Sequence, residues 1–173
     1  MDKKRKLAVT MVAAIDNQNG IGKDGGIPWV CKDDMRHFAE LTKGGIVLMG
    51  SNTFNSLPNG PLPDRENLVI TSDRSYGMVI HQGYGVTWDN HISDDLFDAI
   101  EEHGNKEVFV IGGGEIYKQC MPYATKLILT RINDIHRCDT FFPDWSYANW
   151  ALESVKWLNP ITRVETYVRK NTK

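Results

Sequence analysis

Asp34 is an acidic residue on the apolar side of a predicted helix. The spacing of apolar residues predicts this helix over Lys32–Thr42, entered through Pro28 and Trp29. Its apolar stripe is formed by Met35, Phe38 and Leu41. Because Asp34 precedes Phe38 by four residues, its carboxylate points toward the surface that the helix covers. A buried carboxylate needs a partner, and a positioned carboxylic acid can take part in proton transfer.

A second interpretation of Asp34 is purely structural. Acidic residues in the first turn of a helix complement the positive end of the helix dipole. Neighbouring Asp33 already fills that role, whereas Lys32 and Arg36 lie where they can reach water. Position alone leaves both interpretations of Asp34 open.

Three consecutive glycines, Gly112, Gly113 and Gly114, lie between a predicted strand and a predicted helix. Backbone amides at the start of a helix bind phosphate groups, and glycine lets a pyrophosphate approach the backbone closely. This glycine turn therefore predicts a phosphate-binding site.

A second glycine cluster has the dinucleotide spacing G-x-G-x-x-G at Gly20, Gly22 and Gly25. We reject a Rossmann motif there, because Pro28 follows closely and no helix begins after the glycines. Glycines ahead of Pro28 predict a mobile lid that closes over a site and excludes water. An ordinary surface loop is the alternative interpretation.

The elements that position these residues alternate between strands and helices. Strands are predicted over residues 7–15, 45–49, 67–71, 107–111 and 126–132. Helices are predicted over residues 32–42, 51–57, 93–103 and 116–120, and Ser93 is a candidate cap for the third. The fold class is therefore α/β, with a mostly parallel central sheet flanked by helices. The alternation over residues 151–168 predicts antiparallel strands that close one edge, so the sheet is mixed.

Composition indicates a small globular protein. A chain of 173 residues suits one domain spanning 1–173, or two closely packed lobes, and it can bury a core without disulfides or metal. The net charge of −2 provides no footprint for nucleic acid or an anionic membrane, so a small molecule is the expected partner. Nothing in the sequence forces assembly, and a monomer is the simplest expectation.

Cysteine usage predicts a reducing compartment. The three cysteines are scattered and have no paired metal-ligand spacing, so each is expected to be a plain thiol. The charged N-terminus is followed by an apolar run too short for a spanning helix or a signal peptide. The expected location is the cytoplasm.

Several short strings occur in the order seen in dihydrofolate reductases, which the chain resembles over nearly its whole length. The strings are Gly-Ile-Gly-Lys at 20–23, Ile-Pro-Trp at 27–29, the segment 34–38, Met49-Gly50 with Thr53, Pro-Leu-Pro-Asp-Arg at 61–65, Ile-Gly-Gly-Gly at 111–114 with Tyr117, Leu129-Thr130 and Asp-Thr-Phe-Phe-Pro at 139–143. The resemblance implies reduction of 7,8-dihydrofolate to tetrahydrofolate with NADPH, and no metal is required.

The resemblance also implies roles for individual residues. Asp34 and Trp29 are the expected catalytic residues: Asp34 orients the pterin and favours protonation of N5, and Trp29 positions a water. Arg65 is expected to hold the glutamate carboxylate of the substrate, and Thr130 to bond both Asp34 and the pterin amino group. The full expected substrate set is Ala14, Ile27, Asp34, Met35, Phe38, Ser56, Leu57, Leu62, Arg65, Ile111, Tyr117 and Thr130.

The expected cofactor site is built around the glycine turn, where the resemblance implies a cis peptide. Its residues are Ala14, Ile21, Gly22, Gly50, Ser51, Asn52, Thr53, Thr71, Ser72, Arg74, Ile111, Gly112, Gly113, Gly114, Glu115, Ile116 and Tyr117. Ser51 and Glu115 stand where many relatives place a cation beside the adenosine 2′-phosphate. Arg74 then becomes the main expected cation, and a weakened preference for NADPH over NADH is predicted.

Without the resemblance, several of these residues have plain structural interpretations. Trp29 would be a core residue, Thr130 an ordinary strand threonine, and Arg65 a solvated turn residue. His37 and His103 are interpreted as helix-surface histidines without a role. Two rival functions also stay open: a related pyrimidine reductase of riboflavin synthesis, against which Asp34 and Arg65 argue together, and a pterin- or nucleotide-binding module without turnover.

Overall fold

The computed structural model describes residues 7–72, 86–89 (backbone only), 91–102, 104 and 107–171. The strands in these ranges are β1 (Val9–Ile15), β2 (Gly20–Gly22), β3 (Ile46–Gly50), β4 (Glu66–Ile70), β5 (Val86–Asp89), β6 (Val108–Gly112), β7 (Lys126–Ile132), β8 (Thr140–Phe141), β9 (Trp150–Asn159) and β10 (Thr162–Arg169). The helices are α1 (Lys32–Thr42), α2 (Ser51–Ser56), α3 (Asp94–Glu102) and α4 (Gly114–Cys120).

Eight of the described strands form one sheet in the order β5-β4-β3-β6-β1-β7-β10-β9. The neighbours from β5 to β7 are parallel, whereas β10 is antiparallel to both β7 and β9. The predicted α/β fold with a mixed, mostly parallel sheet and an antiparallel C-terminal edge is therefore confirmed. β2 and β8 form a separate two-stranded sheet.

The two faces of the main sheet carry separate apolar cores. Alternate residues of β3 point to opposite faces, so Leu48 joins one cluster and Met49 the other. The first cluster includes Phe97 of α3 and Ile116 of α4. Phe38 of α1 packs against the second cluster. Burying a side chain of this size contributes roughly 1.5–3 kcal/mol, so these helices are held on the sheet mainly by apolar burial.

The long elements agree with the sequence predictions. α1 and β7 occupy the predicted residues, and the Ser93 hydroxyl caps α3 by accepting a hydrogen bond from the Leu96 amide at 3.2 Å. The strands β2, β5 and β8 were not predicted. The first and last of these have only three and two residues, too few to show a period-2 pattern. His103 lies outside the described residues.

The predicted apolar stripe of α1 was wrong at Met35. Asp34, Phe38 and Leu41 are partly buried, but Met35 is 63% exposed. One residue turns a helix by about 100°, which carries Met35 away from the side that packs on the sheet. Within the described part of the chain, no helix is long and apolar enough to span a membrane.

Candidate active site

Asp34 lies in the first turn of α1, where its carboxylate faces the sheet. The hydroxyl of Thr130 on β7 donates a hydrogen bond to it. Burial raises the pKa of Asp34 above its ordinary value, although the Thr130 bond and the nearby His37 lower it in part. An acid with a raised pKa holds a proton closer to neutral pH, as proton transfer requires. A role limited to the helix dipole does not account for the bond to Thr130.

Residues at the carboxyl ends of adjacent parallel strands surround this acid. Ala14 on β1 is the register partner of Thr130 on β7. On the other side of β1 lies β6, which ends at Gly112. Ligands of open α/β sheets bind at this edge, so Asp34 lies where a substrate would be expected.

Tyr117 connects α4 to the same edge. Its hydroxyl donates a 2.7 Å hydrogen bond to the carbonyl of Val12, and its ring lies against the Gly112 backbone. Burial raises the pKa of Tyr117, and the negative charge of Asp34 adds to this shift. Tyr117 is therefore a protonated, fixed donor that positions the glycine turn relative to β1.

The glycine turn has the predicted cis peptide, between Gly112 and Gly113. α4 begins directly after it, with Gly113 as its N-cap, and Ile116 is buried in the first core cluster. A Cβ atom on Gly113 would lie 3.5 Å from the Thr53 hydroxyl of α2. The turn and the start of α2 are thus neighbours. Unblocked backbone at this position fits the pyrophosphate of a dinucleotide.

The described residues of the expected adenosine end carry no positive charge. Glu115 is exposed and accepts a 3.1 Å hydrogen bond from Gln119. The other described residues of the expected adenosine end are Gly50, Ser51, Asn52, Thr71 and Ser72, of which Asn52 and Ser72 are exposed and Thr71 is buried. Arg74, the expected cation, lies outside the described residues.

Apart from the resemblance, Arg65 was interpreted as a solvated turn residue, and it does lie in a turn, but it is partly buried and its guanidinium is held by specific contacts. Its Nε donates to the carbonyl of Pro63 at 2.7 Å, and Nη1 donates to the Thr42 hydroxyl at 3.0 Å. The guanidinium carbon lies 5.9 Å from the centre of the Phe38 ring. Burial lowers the pKa of Arg65, which nevertheless stays far above neutrality. Two bonds and a ring contact therefore hold the guanidinium in one place.

Four partly buried apolar side chains lie on the face of the sheet that α1 covers. They pack against the second core cluster, and they are Phe38, Leu57, Leu62 and Ile111. Ser56 is exposed, and its hydroxyl donates to the Thr53 carbonyl at 2.6 Å. Met35 and Ile27 are large exposed apolar residues, which fits a surface that a ligand covers.

The first residues of the predicted lid form β2, which pairs with β8. No helix occurs over the described residues 23–31, so the rejection of a Rossmann motif at these glycines is confirmed. A Cβ atom on Gly20 would lie only 2.5 Å from the Cys138 sulfur, so this position requires glycine. Ile21 packs against the first core cluster, and Gly22 accepts a backbone hydrogen bond from Asp139. Trp29 contacts the His136 ring edge to face, with the ring centres 5.0 Å apart.

Asp16 is a structural residue of the site that the sequence analysis missed. Asp16 is 1% exposed, and its carboxylate accepts hydrogen bonds from the backbone amides of Gln18, Gly20 and His136 at 2.8–3.0 Å. It therefore joins the base of the lid to the 133–138 segment. The signal was present: an acid directly after a strand and before Asn-Gln-Asn-Gly is typical of a turn whose amides need an acceptor.

The interpretation of His37 as a helix-surface histidine was wrong. His37 is half-buried beside Asp34 instead. The long C-terminal strand β9 packs against α1 and covers this side of the helix. No local feature of the helix sequence indicates that contact.

Comparison with known proteins agrees with this geometry. A family model described as dihydrofolate reductase matches residues 8–165. The chain is 36% identical to the dihydrofolate reductase of Buchnera aphidicola subsp. Schizaphis graminum, over 95% of this chain and 92% of that protein. It is 35% identical to the Bacillus subtilis dihydrofolate reductase, over 84% of this chain and 82% of that protein.

A solved structure of similar shape is a dihydrofolate reductase from Enterococcus faecalis complexed with NADP(H) and RAB-propyl. The TM-score is 0.80 at 27% identity, and the match covers 96% of this chain and 98% of the other. The predicted resemblance is confirmed by sequence and by fold. The chain belongs to the dihydrofolate reductase family of NADPH-dependent oxidoreductases.

Proposed function

We propose that this chain reduces 7,8-dihydrofolate to 5,6,7,8-tetrahydrofolate with NADPH, and that Asp34 is the acid of the site. The observation that carries this proposal is the partly buried Asp34 carboxylate, which accepts a hydrogen bond from Thr130 at the carboxyl ends of parallel strands. The glycine turn lies at the end of β6, which is separated from the Thr130 strand β7 by β1.

Asp34 orients the pterin ring and favours protonation of N5 through a water. Its raised pKa supports this role, because the protonated acid then persists closer to neutral pH. Thr130 keeps the carboxylate in place and bonds the pterin amino group. Trp29 forms the wall that positions the water, and its contact with His136 supports a fixed orientation.

The substrate tail lies along the apolar side chains beside Arg65. Phe38, Leu57 and Leu62 contact the p-aminobenzoyl ring, and Arg65 holds the glutamate carboxylate. The two hydrogen bonds that fix Arg65 support this role, because a positioned guanidinium loses little freedom when it binds. Ala14, Ile27, Met35, Ser56, Ile111 and Tyr117 complete the proposed substrate contacts.

NADPH, when bound, supplies the hydride. The backbone of Gly112, Gly113 and Gly114 holds its pyrophosphate, with Thr53 beside the turn. The nicotinamide end is bounded by Ala14, Ile21, Gly22, Ile111, Ile116 and Tyr117, and the adenosine end by Gly50, Ser51, Asn52, Thr71, Ser72, Arg74 and Glu115. Closure of the lid over residues 20–26 excludes water from the reacting rings.

Residues 1–173 form one catalytic domain, and the chain works as a monomer in the cytoplasm without a nucleic-acid or membrane partner. Support comes from the near-neutral charge and from the three cysteines, which are all free thiols.

The experiment that tests the proposed reaction is the loss of nicotinamide absorbance when enzyme, NADPH and dihydrofolate are mixed. We expect turnover that needs all three components. Oxidation of NADPH only with a pyrimidine substrate would contradict the proposal, and so would tight binding of both ligands without turnover.

A further inference from the structure

His37 is a half-buried histidine beside the site acid, and none of the roles above uses it. It follows Asp34 by three residues on α1, so the two side chains are neighbours on one face of the helix. α1 packs against β9, and the Asn159 amide on that strand donates a 2.9 Å hydrogen bond to Asp33. β9 therefore packs against the segment of α1 that carries His37.

The charged groups that face His37 come from these same two elements. Asp34 and Glu40 are its neighbours on α1, and Lys156 faces it from β9. Burial lowers the pKa of His37 below its ordinary value of 6.5, and Lys156 lowers it further, while Asp34 and Glu40 raise it in part. His37 is thus mainly neutral near pH 7 and gains its proton in acid.

The Nε2 atom of His37 explains why the charged ring is costly. It is out of contact with water and has no hydrogen-bond partner among the described residues. An imidazolium has two N–H donors, so protonation leaves this donor without an acceptor. The attraction of Asp34 is the main favourable interaction that opposes this cost.

We propose that His37 is a positioning residue that competes with Asp34 for one proton and, once protonated, keeps Asp34 in its carboxylate form. The interaction is reciprocal, because each charged member of the pair favours the charge on the other. Its effect on turnover rests on the proposed function of Asp34, whereas the pairing itself can be measured in the free enzyme.

The first test replaces His37 with glutamine, which keeps a polar side chain of similar size but cannot become cationic. The Asp34 carboxyl carbon is followed by 13C NMR in the free enzyme, with its signal identified by its loss in Asp34→Asn. We expect the midpoint to rise by about 0.5–1 pH unit in His37→Gln, because a nearby cation is lost. The pH profile of kcat/KM for dihydrofolate should move in the same direction.

A second variant changes a different residue in the opposite sense. Lys156 is exposed, so Lys156→Met is expected to fold normally. Removing this repulsion makes His37 take its proton at higher pH, and a protonated His37 lowers the midpoint of Asp34. The expected downward shift is about 0.2–0.5 unit, smaller because the lysine is solvated. Glu40→Gln, which removes an attraction, should shift Asp34 upward as His37→Gln does.

The inference is overturned if the Asp34 midpoint is the same in the wild type, His37→Gln and Lys156→Met. That result would leave the proposed reaction intact. The Asp34 midpoint could also rise in His37→Gln and fall in Lys156→Met while the protein does not reduce dihydrofolate. That result would support the Asp34–His37 pair and contradict the proposed function instead.

Discussion

The guanidinium of Arg65 donates a hydrogen bond to the hydroxyl of Thr42, the last residue of α1, over 3.0 Å. Thr42 is fully buried, and its hydroxyl donates in turn to the Phe38 carbonyl at 2.8 Å. The arginine proposed to hold the substrate tail is thereby joined to the helix that carries the proposed acid.

Replacing Arg65 with alanine should weaken substrate binding and leave the chemical step largely intact. A lost charge-assisted contact costs roughly 1.5–3 kcal/mol, so KM for dihydrofolate should rise about tenfold or more. A pterin without the glutamate is the matched substrate control and should be unaffected. An equal increase in KM for both substrates would show that Arg65 affects only the fold.

Thr42→Val tests whether the fixed orientation of Arg65 matters. The substitution keeps the shape of the side chain but removes the acceptor that Nη1 uses. We expect KM for dihydrofolate to rise about threefold to tenfold with little change in kcat, because the guanidinium must then be ordered on binding. Steady-state kinetics at fixed NADPH measure this, and an unchanged KM would show that the bond does not contribute to binding.

Asp34→Asn keeps the shape of the side chain but removes its titratable carboxyl group. Turnover at neutral pH should fall by about two to four orders of magnitude, the usual contribution of a general acid or base. NADPH binding, followed by fluorescence titration, should survive. In the wild type the pKa of Asp34 is raised, so the protonated fraction and the rate should fall as pH rises through that pKa. A near wild-type rate in Asp34→Asn would remove Asp34 from the mechanism.

Cofactor preference should be weaker than in relatives that place cations at both adenosine positions. Each missing charged contact is worth roughly 1.5–3 kcal/mol, so the ratio of kcat/KM for NADPH to that for NADH should fall by about ten- to a hundredfold or more. NADPH should still be preferred. Arg74→Ala should narrow this ratio and Ser51→Arg should widen it, with both effects smaller at high salt. If Arg74→Ala leaves the ratio unchanged at low ionic strength, a group other than Arg74 recognises the adenosine 2′-phosphate.

Glu165 should make the fold sensitive to acid. Its buried carboxylate accepts hydrogen bonds from Arg131 and Arg163 at 2.8 Å and from Tyr167 at 2.7 Å. Burial alone raises the pKa of Glu165, but these three bonds outweigh it, so the pKa lies below its ordinary 4.5. The resulting stability is present above that ordinary value and is lost as pH falls through the lowered pKa.

Glu165→Gln should lower the free energy of unfolding by about 3 kcal/mol at neutral pH, because it leaves partly buried guanidinium groups without a charge partner. Urea unfolding at pH 7 and pH 3 measures the effect. The difference between variant and wild type should shrink at the lower pH, and a constant difference would argue against a charge-dependent role.

Sequence analysis predicted the elements whose residues repeat with a clear period. α1 and β7 are long enough to show a helical and a strand pattern, and each occupies the residues expected for it. The strands β2 and β8 arise instead from a contact between distant loops, which no local pattern contains. The site also contains both local and long-range features. The spacing within α1 indicated that Asp34 faces inward. The burial of His37 depends instead on β9, which lies more than a hundred residues later in the chain.

The position of β1 between β6 and β7 affects how the chain folds during synthesis. The first strand cannot pair with β6 until residues 108–112 have been made, or with β7 until residues 126–132 have been made, so it lacks both neighbours for much of translation. Contacts of such large sequence separation slow folding and leave nascent strands open to aggregation. A fragment ending before residue 108 would contain β1, α1, β3 and β4 but lack both strands that pair with β1. Molecular chaperones that bind exposed apolar strands would therefore recognise this intermediate.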